Sequence, residues 1–156
     1  VQQKGLKVMD LFIHDVTASN YREILQLQVA DSQKNFIETP YQCLEDSVTW
    51  EQFRPVGLYA GETLVGFAMY GLFEEEGKAG RLWIDRLLID VRYQGKGYGK
   101  RFMILLMTYV QDRYGQRPIY LSVYPDNVNA IRLYEQLGFS FTGELDENGE
   151  HLMKKS

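Results

Sequence analysis

The stretch RYQGKGYGKR, residues 92–101, joins a β-prone run ending at Asp90 to a segment of helical spacing, and the fold turns on how it is read. Gly95, Gly97 and Gly99 open backbone conformations closed to other residues, and their missing side chains let a ligand approach the amides. Successive N–H groups at the head of a helix converge on an anion, aided by the positive end of the helix dipole. Lys96, Lys100 and Arg101 point the same way, because cations in a first helical turn oppose the dipole unless something negative sits among them. A bound phosphate removes that conflict. Two better-known phosphate loops do not fit. A Walker loop needs Gly, four residues, then Gly-Lys-Ser/Thr; here Arg101 follows Gly99-Lys100, and Gln94 stands at the first glycine position. The dinucleotide fingerprint needs a third glycine where this chain has Lys100 or Phe102.

Downstream of the loop, Phe102, Leu105, Leu106, Tyr109, Val110 and Tyr114 recur at helical spacing, and Gly115 stands where a helix end favours a left-handed residue. Ile119, Leu121 and Val123 alternate as a buried strand. A helix from Asn127 to Leu137 carries Ala130, Leu133, Tyr134 and Leu137 on one face, and Gly138 closes it. The tail, 139–145 and 150–154, reads as a hairpin around Asn148-Gly149. Upstream, 11–17 reads as a strand, and Ser19 or Asn20 caps a helix bearing Ile24, Leu25, Leu27 and Val29. A second short helix is expected over 45–53, stopped by Pro55. Residues 56–60 and 63–73 form a hairpin pattern through Gly61-Glu62, followed by a long β run over 81–90. The order β, α, α, β, β, β, α, β, α, β, β predicts an α/β (α+β) mixture: an antiparallel meander first, helical crossovers later.

The composition sets bounds on this. At 156 residues with 45% apolar content, the chain is expected to form one domain over 1–156, with a core that needs neither disulfides nor structural metal. Its single Cys43 suits a reducing, cytoplasmic setting. No apolar run is long enough to span a membrane, and VQQKGLKVMDLF lacks the pattern of a leader. The net charge of −4 argues against a nucleic-acid partner. His14 and His151 show no metal-ligand spacing, so no metal is expected.

Gln94-x-x-Gly97-x-Gly99 resembles motif A of the GCN5-related N-acetyltransferases (GNAT), the loop that cradles the pyrophosphate of acetyl-CoA. Asn127-x-x-Ala130-x-x-Leu133-Tyr134-x-x-x-Gly138-Phe139 is similar to motif B of that family and falls on the helix after the Ile119 strand. CLED (43–46), PVGLY (55–59), LVGFAMYGLF (64–73), GQRPIYLSVY (115–124) and GELDENGE (143–150) further resemble the bacterial spermine/spermidine acetyltransferase branch. The resemblance implies the family's fold, a mostly antiparallel mixed sheet of about seven strands flanked by four helices. It implies acetyl-CoA as co-substrate, a polyamine such as spermidine or spermine as acceptor, direct attack in a ternary complex, and a homodimer as a frequent assembly. Another acceptor (a protein N-terminus, an amino acid, an aminoglycoside) and a non-catalytic acyl-CoA sensor stand as alternatives, since fold and cofactor site are shared while the acceptor pocket is not.

On this resemblance the cofactor lies along Leu88 and Ile89, over Gln94, Gly95, Lys96, Gly97, Tyr98, Gly99 and Lys100, and beside Asn127 and Tyr134. Tyr134 reads as the general acid for the leaving thiolate or as a core aromatic; Asn127 reads as an N-cap, as a ligand of the pantetheine arm, or as both. Asp85, which strand alternation groups with Trp83 and Leu87, is the candidate base or ammonium ligand. Glu38, Tyr41, Trp83 and Asp85 make up the expected acceptor site, carboxylates for ammonium groups and aromatics for methylenes. The run Glu74-Glu75-Glu76 reads as a solvated turn, and Cys43 as a small buried apolar residue.

Overall fold

Seven strands form one sheet: β1 (Leu11–Asp15), β2 (Arg54–Ala60), β3 (Thr63–Phe73), β4 (Arg81–Ile89), β5 (Ile119–Val123), β6 (Ser140–Leu145) and β7 (His151–Lys155), in the order β1-β2-β3-β4-β5-β7-β6. The computed structural model describes residues 10–34, 36 and 38–156, so the stretch 1–9, part of the segment read above for a leader, lies outside the described residues. Four α-helices accompany the sheet among the described residues: α1 (Tyr21–Leu25), α2 (Pro40–Thr49), α3 (Tyr98–Tyr114) and α4 (Val128–Gln136). Every strand pair is antiparallel except β4 with β5. The mixed, mostly antiparallel sheet expected from the element order is therefore what forms.

β3 is buried on both faces, which is why its sequence is an almost unbroken apolar run rather than an alternation. Phe67 and Met69 join Ile24, Leu27, Cys43 and Leu88 on one side; Ala68 and Tyr70 join the larger core with Phe102, Leu106 and Val110 on the other. From α3, Phe102, Met103, Leu106 and Val110 are at most 1% exposed, and burying a side chain of this size contributes about 1.5–3 kcal/mol. The helix is thereby clamped to the sheet, and the loop in front of it inherits a fixed position.

Two local expectations are corrected. The second helix spans Pro40–Thr49 rather than 45–53. Its start is a capping box: Thr39 Oγ1 accepts from the Gln42 N–H at 3.2 Å, Gln42 Oε1 accepts from the Thr39 N–H at 2.9 Å, and Pro40 opens the first turn. Pro55 is not its stop; it lies within β2, opposite Met69. Nor does the Asn20 side chain cap α1. It accepts from the Thr17 N–H at 2.8 Å and donates to the Asp15 carbonyl and the Tyr59 hydroxyl at 3.0 and 3.1 Å, pinning the loop onto β1 and β2.

The feature that makes room for a site is a pair of irregularities in β4. First, its register against β3 steps from Met69↔Asp85 to Phe67↔Leu88, so β4 carries one extra residue there. Arg86 takes φ 57°, the one non-glycine residue with positive φ among those described. Gly66 accommodates this β-bulge, because a Cβ there would lie 2.3 Å from the Leu88 carbonyl oxygen. Second, β4 pairs with β5 only at Leu82↔Ile119 and Trp83↔Tyr120. Beyond that point the strands part, and the segment from Asp85 to Ile89 has no β5 partner.

Candidate active site

The wedge between the parted strands opens into a cavity of about 330 Å³. Its floor is the unpaired side of β4, from Asp85 to Ile89, faced by Ser122 and Val123 of β5. One end is the glycine loop. Asp90 begins it: its carboxylate accepts from the Gln28 N–H at 3.0 Å and from the Arg92 N–H at 2.9 Å, tying the chain before α2 to the end of β4. Burial opposes the charge of Asp90, but the hydrogen bonds from Arg92 and Gln28 outweigh it and hold the carboxyl below its ordinary range. Gln94 then donates to the Ile89 carbonyl at 2.8 Å and to Gln33 Oε1 at 2.8 Å, so its side chain braces the loop.

Gly95 and Gly97 adopt φ 77° and 81°, the left-handed conformations for which glycine was expected, and a Cβ at either would meet nothing within 4 Å. Open space therefore lies in front of the loop. Among the described residues, no acceptor takes the N–H of Gly95, Lys96 or Gly97. These amides, the first turn of α3 behind them and the helix dipole form a cradle for a phosphate group.

The cavity brings together most of the residues expected to hold a cofactor: Leu88, Ile89, Gln94, Gly95, Gly97, Tyr98, Gly99, Asn127 and Tyr134 all line it. The Lys96 and Lys100 side chains are not part of its lining. Asn127 stands at the N-cap position of α4, but its side chain makes no capping hydrogen bond; the capping half of its dual reading is corrected. Only its carbonyl serves the helix, accepting from the Ile131 N–H at 3.1 Å. Tyr134 stands at the border of core and cavity, its ring edge-on to Phe139 at 6.0 Å. Burial pushes its phenol up to about 12, with the nearby Asp85 charge adding to the effect, so it stays protonated and able to donate.

The opposite end is acidic. Glu38, Asp85 and Glu150 line the cavity together with Arg86. The Arg86 guanidinium, 16% exposed, pairs with Glu38 Oε1 at 3.1 Å, lies 3.6 Å from Asp85 Oδ2 and also bonds Asp46. Desolvation works against its charge, but Asp85, Asp46 and Glu38 together hold it above the ordinary arginine value. Asp85 is pushed up to about 6, chiefly by burial; Arg86 pulls it down and Glu38 pushes it up.

Two expected acceptor-site contacts, and one expected face, are absent. Tyr41, on the first turn of α2, is 56% exposed and does not line the cavity. Trp83 does not line it either: its indole N–H donates to Glu76 Oε1 at 2.8 Å and its ring leans on Tyr120, so Glu76 is more than solvated decoration. Leu87 does not share a face with Asp85, because the bulge at Arg86 inverts the alternation. Leu88 joins the Met69 side and Leu87 packs toward the larger core. Cys43 is buried as expected, at 1% exposure, and desolvation pushes its thiol up to about 12. Glu150, Ser122 and Arg86 were missed from sequence. The signal available for Glu150 was only its place after the Asn148-Gly149 turn, inside the stretch 143–150 already singled out.

The chain matches the family described as the acetyltransferase (GNAT) family over residues 21–139. It is 48% identical over 150 residues to a spermine/spermidine N(1)-acetyltransferase of Bacillus subtilis (strain 168), covering 94% of this chain and 99% of that relative. Its fold superposes on the crystal structure of the aminoglycoside acetyltransferase AAC(6')-Ib in complex with coenzyme A with a TM-score of 0.78 at 20% identity, covering 94% of this chain and 95% of that one. A spermidine N-acetyltransferase from Vibrio cholerae, solved with CoA and spermine, superposes with a TM-score of 0.69 at 19% identity, covering 92% of each chain.

Proposed function

The chain belongs to the acetyltransferase (GNAT) family, and from that premise we propose that it transfers the acetyl group of acetyl-CoA to a primary amine of a polyamine such as spermidine or spermine, by direct attack with both substrates bound. One observation carries the reading. A single cavity joins a cradle of unpaired amides at a helix N-terminus to three carboxylates, Glu38, Asp85 and Glu150. The first suits a diphosphate and the second an oligocation. The curated relative named for spermine and spermidine supports the same acceptor class.

Acetyl-CoA fits the residues present. The amides of Gly95, Lys96 and Gly97, with Tyr98 and Gly99 opening the helix, would hold its diphosphate, with Lys96 and Lys100 adding positive charge from outside the cavity. Leu88 and Ile89 lie on the stretch of β4 that has no β5 partner, an open edge along which the pantetheine arm lies as an added strand, and the Asn127 side chain is left available to it. When bound, the thioester supplies an electrophilic carbonyl and a thiol leaving group. Tyr134 donates its phenolic proton to the departing sulfur. Asp85, tied to Arg86, holds and orients the ammonium end of the acceptor. Intact Tyr134 and Asn127 in the cavity speak against a silent sensor. The lone buried Cys43 suits a reducing cytoplasm, and no described helix is long and apolar enough to cross a membrane.

The test is thiol release and product mass for purified protein with acetyl-CoA and a panel of amines: spermine, spermidine, a diamine, lysine, a peptide N-terminus and an aminoglycoside. Polyamines are expected to show the highest kcat/KM. Absence of acetylation with every polyamine, alongside turnover of another amine, overturns the acceptor class.

A further inference from the structure

We infer that Glu150, immediately before the last strand, is the group that takes the proton from the attacking amine, leaving Asp85 to orient it. The inference rests on the acetyl-transfer reading and assigns a residue within that site.

The argument begins with which carboxylates are free to act. Asp85 is engaged on both oxygens, Oδ1 accepting from the Arg86 N–H at 2.9 Å and Oδ2 lying 3.6 Å from Arg86 Nε. Glu38 pairs with the same guanidinium. Glu150 lines the same cavity, yet no Lys, Arg or His among the described residues forms an ion pair with it. Its backbone is rigidly held: the Glu150 N–H donates to Asp146 Oδ1 at 2.8 Å and its carbonyl accepts from the Asp146 N–H at 2.9 Å. The turn between them closes on Gly149 at φ 83°. Next along the chain, β7 is locked to β5 by Val123↔His151 and Ser122↔Leu152. Glu150 thus projects from a fixed hairpin on the far side of the wedge from Asp85. An unpaired carboxylate held in a half-buried cavity is matched by a cationic ligand, and a primary ammonium is the cation this cavity is proposed to receive.

The groups around it agree. Asp146 from the turn, Asp85 from β4 and Glu38 before α2 all oppose ionisation of Glu150, while a hydrogen bond from Ser122 on β5 favours it. Tyr124 comes just after β5, Arg86 lines the cavity beside Asp85 and Glu38, and His151 is next in sequence. Burial dominates and pushes Glu150 up to about 7, closer to an alkylammonium at about 10 than an ordinary carboxylate is. That narrows the proton-transfer gap at neutral pH.

The protons balance as follows. The ammonium passes one proton to Glu150, and the neutral nitrogen bonds to the acetyl carbon. The carbon–sulfur bond breaks and the sulfur takes the Tyr134 proton. The nitrogen's second proton restores the phenol, and Glu150 releases its proton to solvent. One net proton leaves per acetyl group transferred.

The experiment compares Glu150→Gln and Asp85→Asn with wild type, using spermidine and whichever panel amine the wild type acetylates best, so that a wrong acceptor class does not obscure the result. Calorimetric titration of CoA checks that the loop is intact in each variant. Wild-type kcat/KM should rise with pH through an apparent pKa near 7, with the same limb at lower pH in kcat, because a bound cation favours the carboxylate. Glu150→Gln should lower kcat/KM by about 10²-fold and abolish that limb. Spermidine titrated into the CoA complex should release a proton to buffer in wild type and not in Glu150→Gln. Loss of the limb in Asp85→Asn with its retention in Glu150→Gln, or equal activity and pH profile in Glu150→Gln and wild type, overturns the assignment.

Discussion

Tyr134 shows how one side chain serves two demands. Its ring completes the edge of the core against Phe139, and its phenol, kept protonated by burial, lines the cavity in which the proposed transfer takes place. Tyr134→Phe retains the first role and deletes the second. We expect kcat to fall about 10²-fold with the Kd for CoA unchanged in calorimetry, and unchanged kcat would remove the acid assignment. Helical spacing alone left Tyr134 open between core and catalysis. Arg86 was less legible still: within Trp83-Ile-Asp-Arg-Leu87 it reads as one more alternating strand residue. Its positive φ belongs to the bulge against β3, and its ion pairs are made with Glu38 and Asp46, which sit far off in sequence.

Among the elements, α2 is the instructive case. Thr39-Pro40-Tyr41-Gln42 spells a capping box directly, but reading backward from Pro55 displaced the helix by several residues. Because Glu38 immediately precedes that cap, the box also sets where a carboxylate of the proposed acceptor site enters the cavity. Thr39→Ala should cost about 1 kcal/mol, seen as a few degrees in Tm, and should raise KM for spermidine more than for acetyl-CoA. Equal KM changes for both substrates would show that the cap supports stability alone. The α3 entry, by contrast, was read correctly in place and in kind. Gly97 sits at its head with φ 81° and Gly115 at its end with φ 90°, conformations that glycine signals by itself.

Across the whole molecule, the acidic end of the cavity couples stability to pH. Glu150 is pushed up to about 7 from an ordinary 4.5, so the folded protein holds more protons than the unfolded chain between those values. Its contribution to stability therefore falls as pH rises through that window, and the cost is fully present above about 7. Glu150→Gln removes this dependence. Relative to wild type, the variant should gain on the order of 1 kcal/mol between pH 5 and 8 once solvent screening of a half-buried group is allowed for. Thermal denaturation across that range checks it, and parallel curves for the two proteins would mean that Glu150 is not desolvated.

Local chemistry was enough for much of this protein. Turn residues and β-prone runs defined the strands, helical spacing defined α3 and α4, and glycines marked the cradle, because each depends on residues within a few positions of one another. The cavity required the assembled sheet. Nothing local says that β4 leaves β5 after Trp83, that the bulge at Arg86 turns Leu87 away from Asp85, or that Glu150 arrives opposite residues from the middle of the chain. Those outcomes follow from register between distant strands, where the number of residues on each side of a ladder determines which side chains meet.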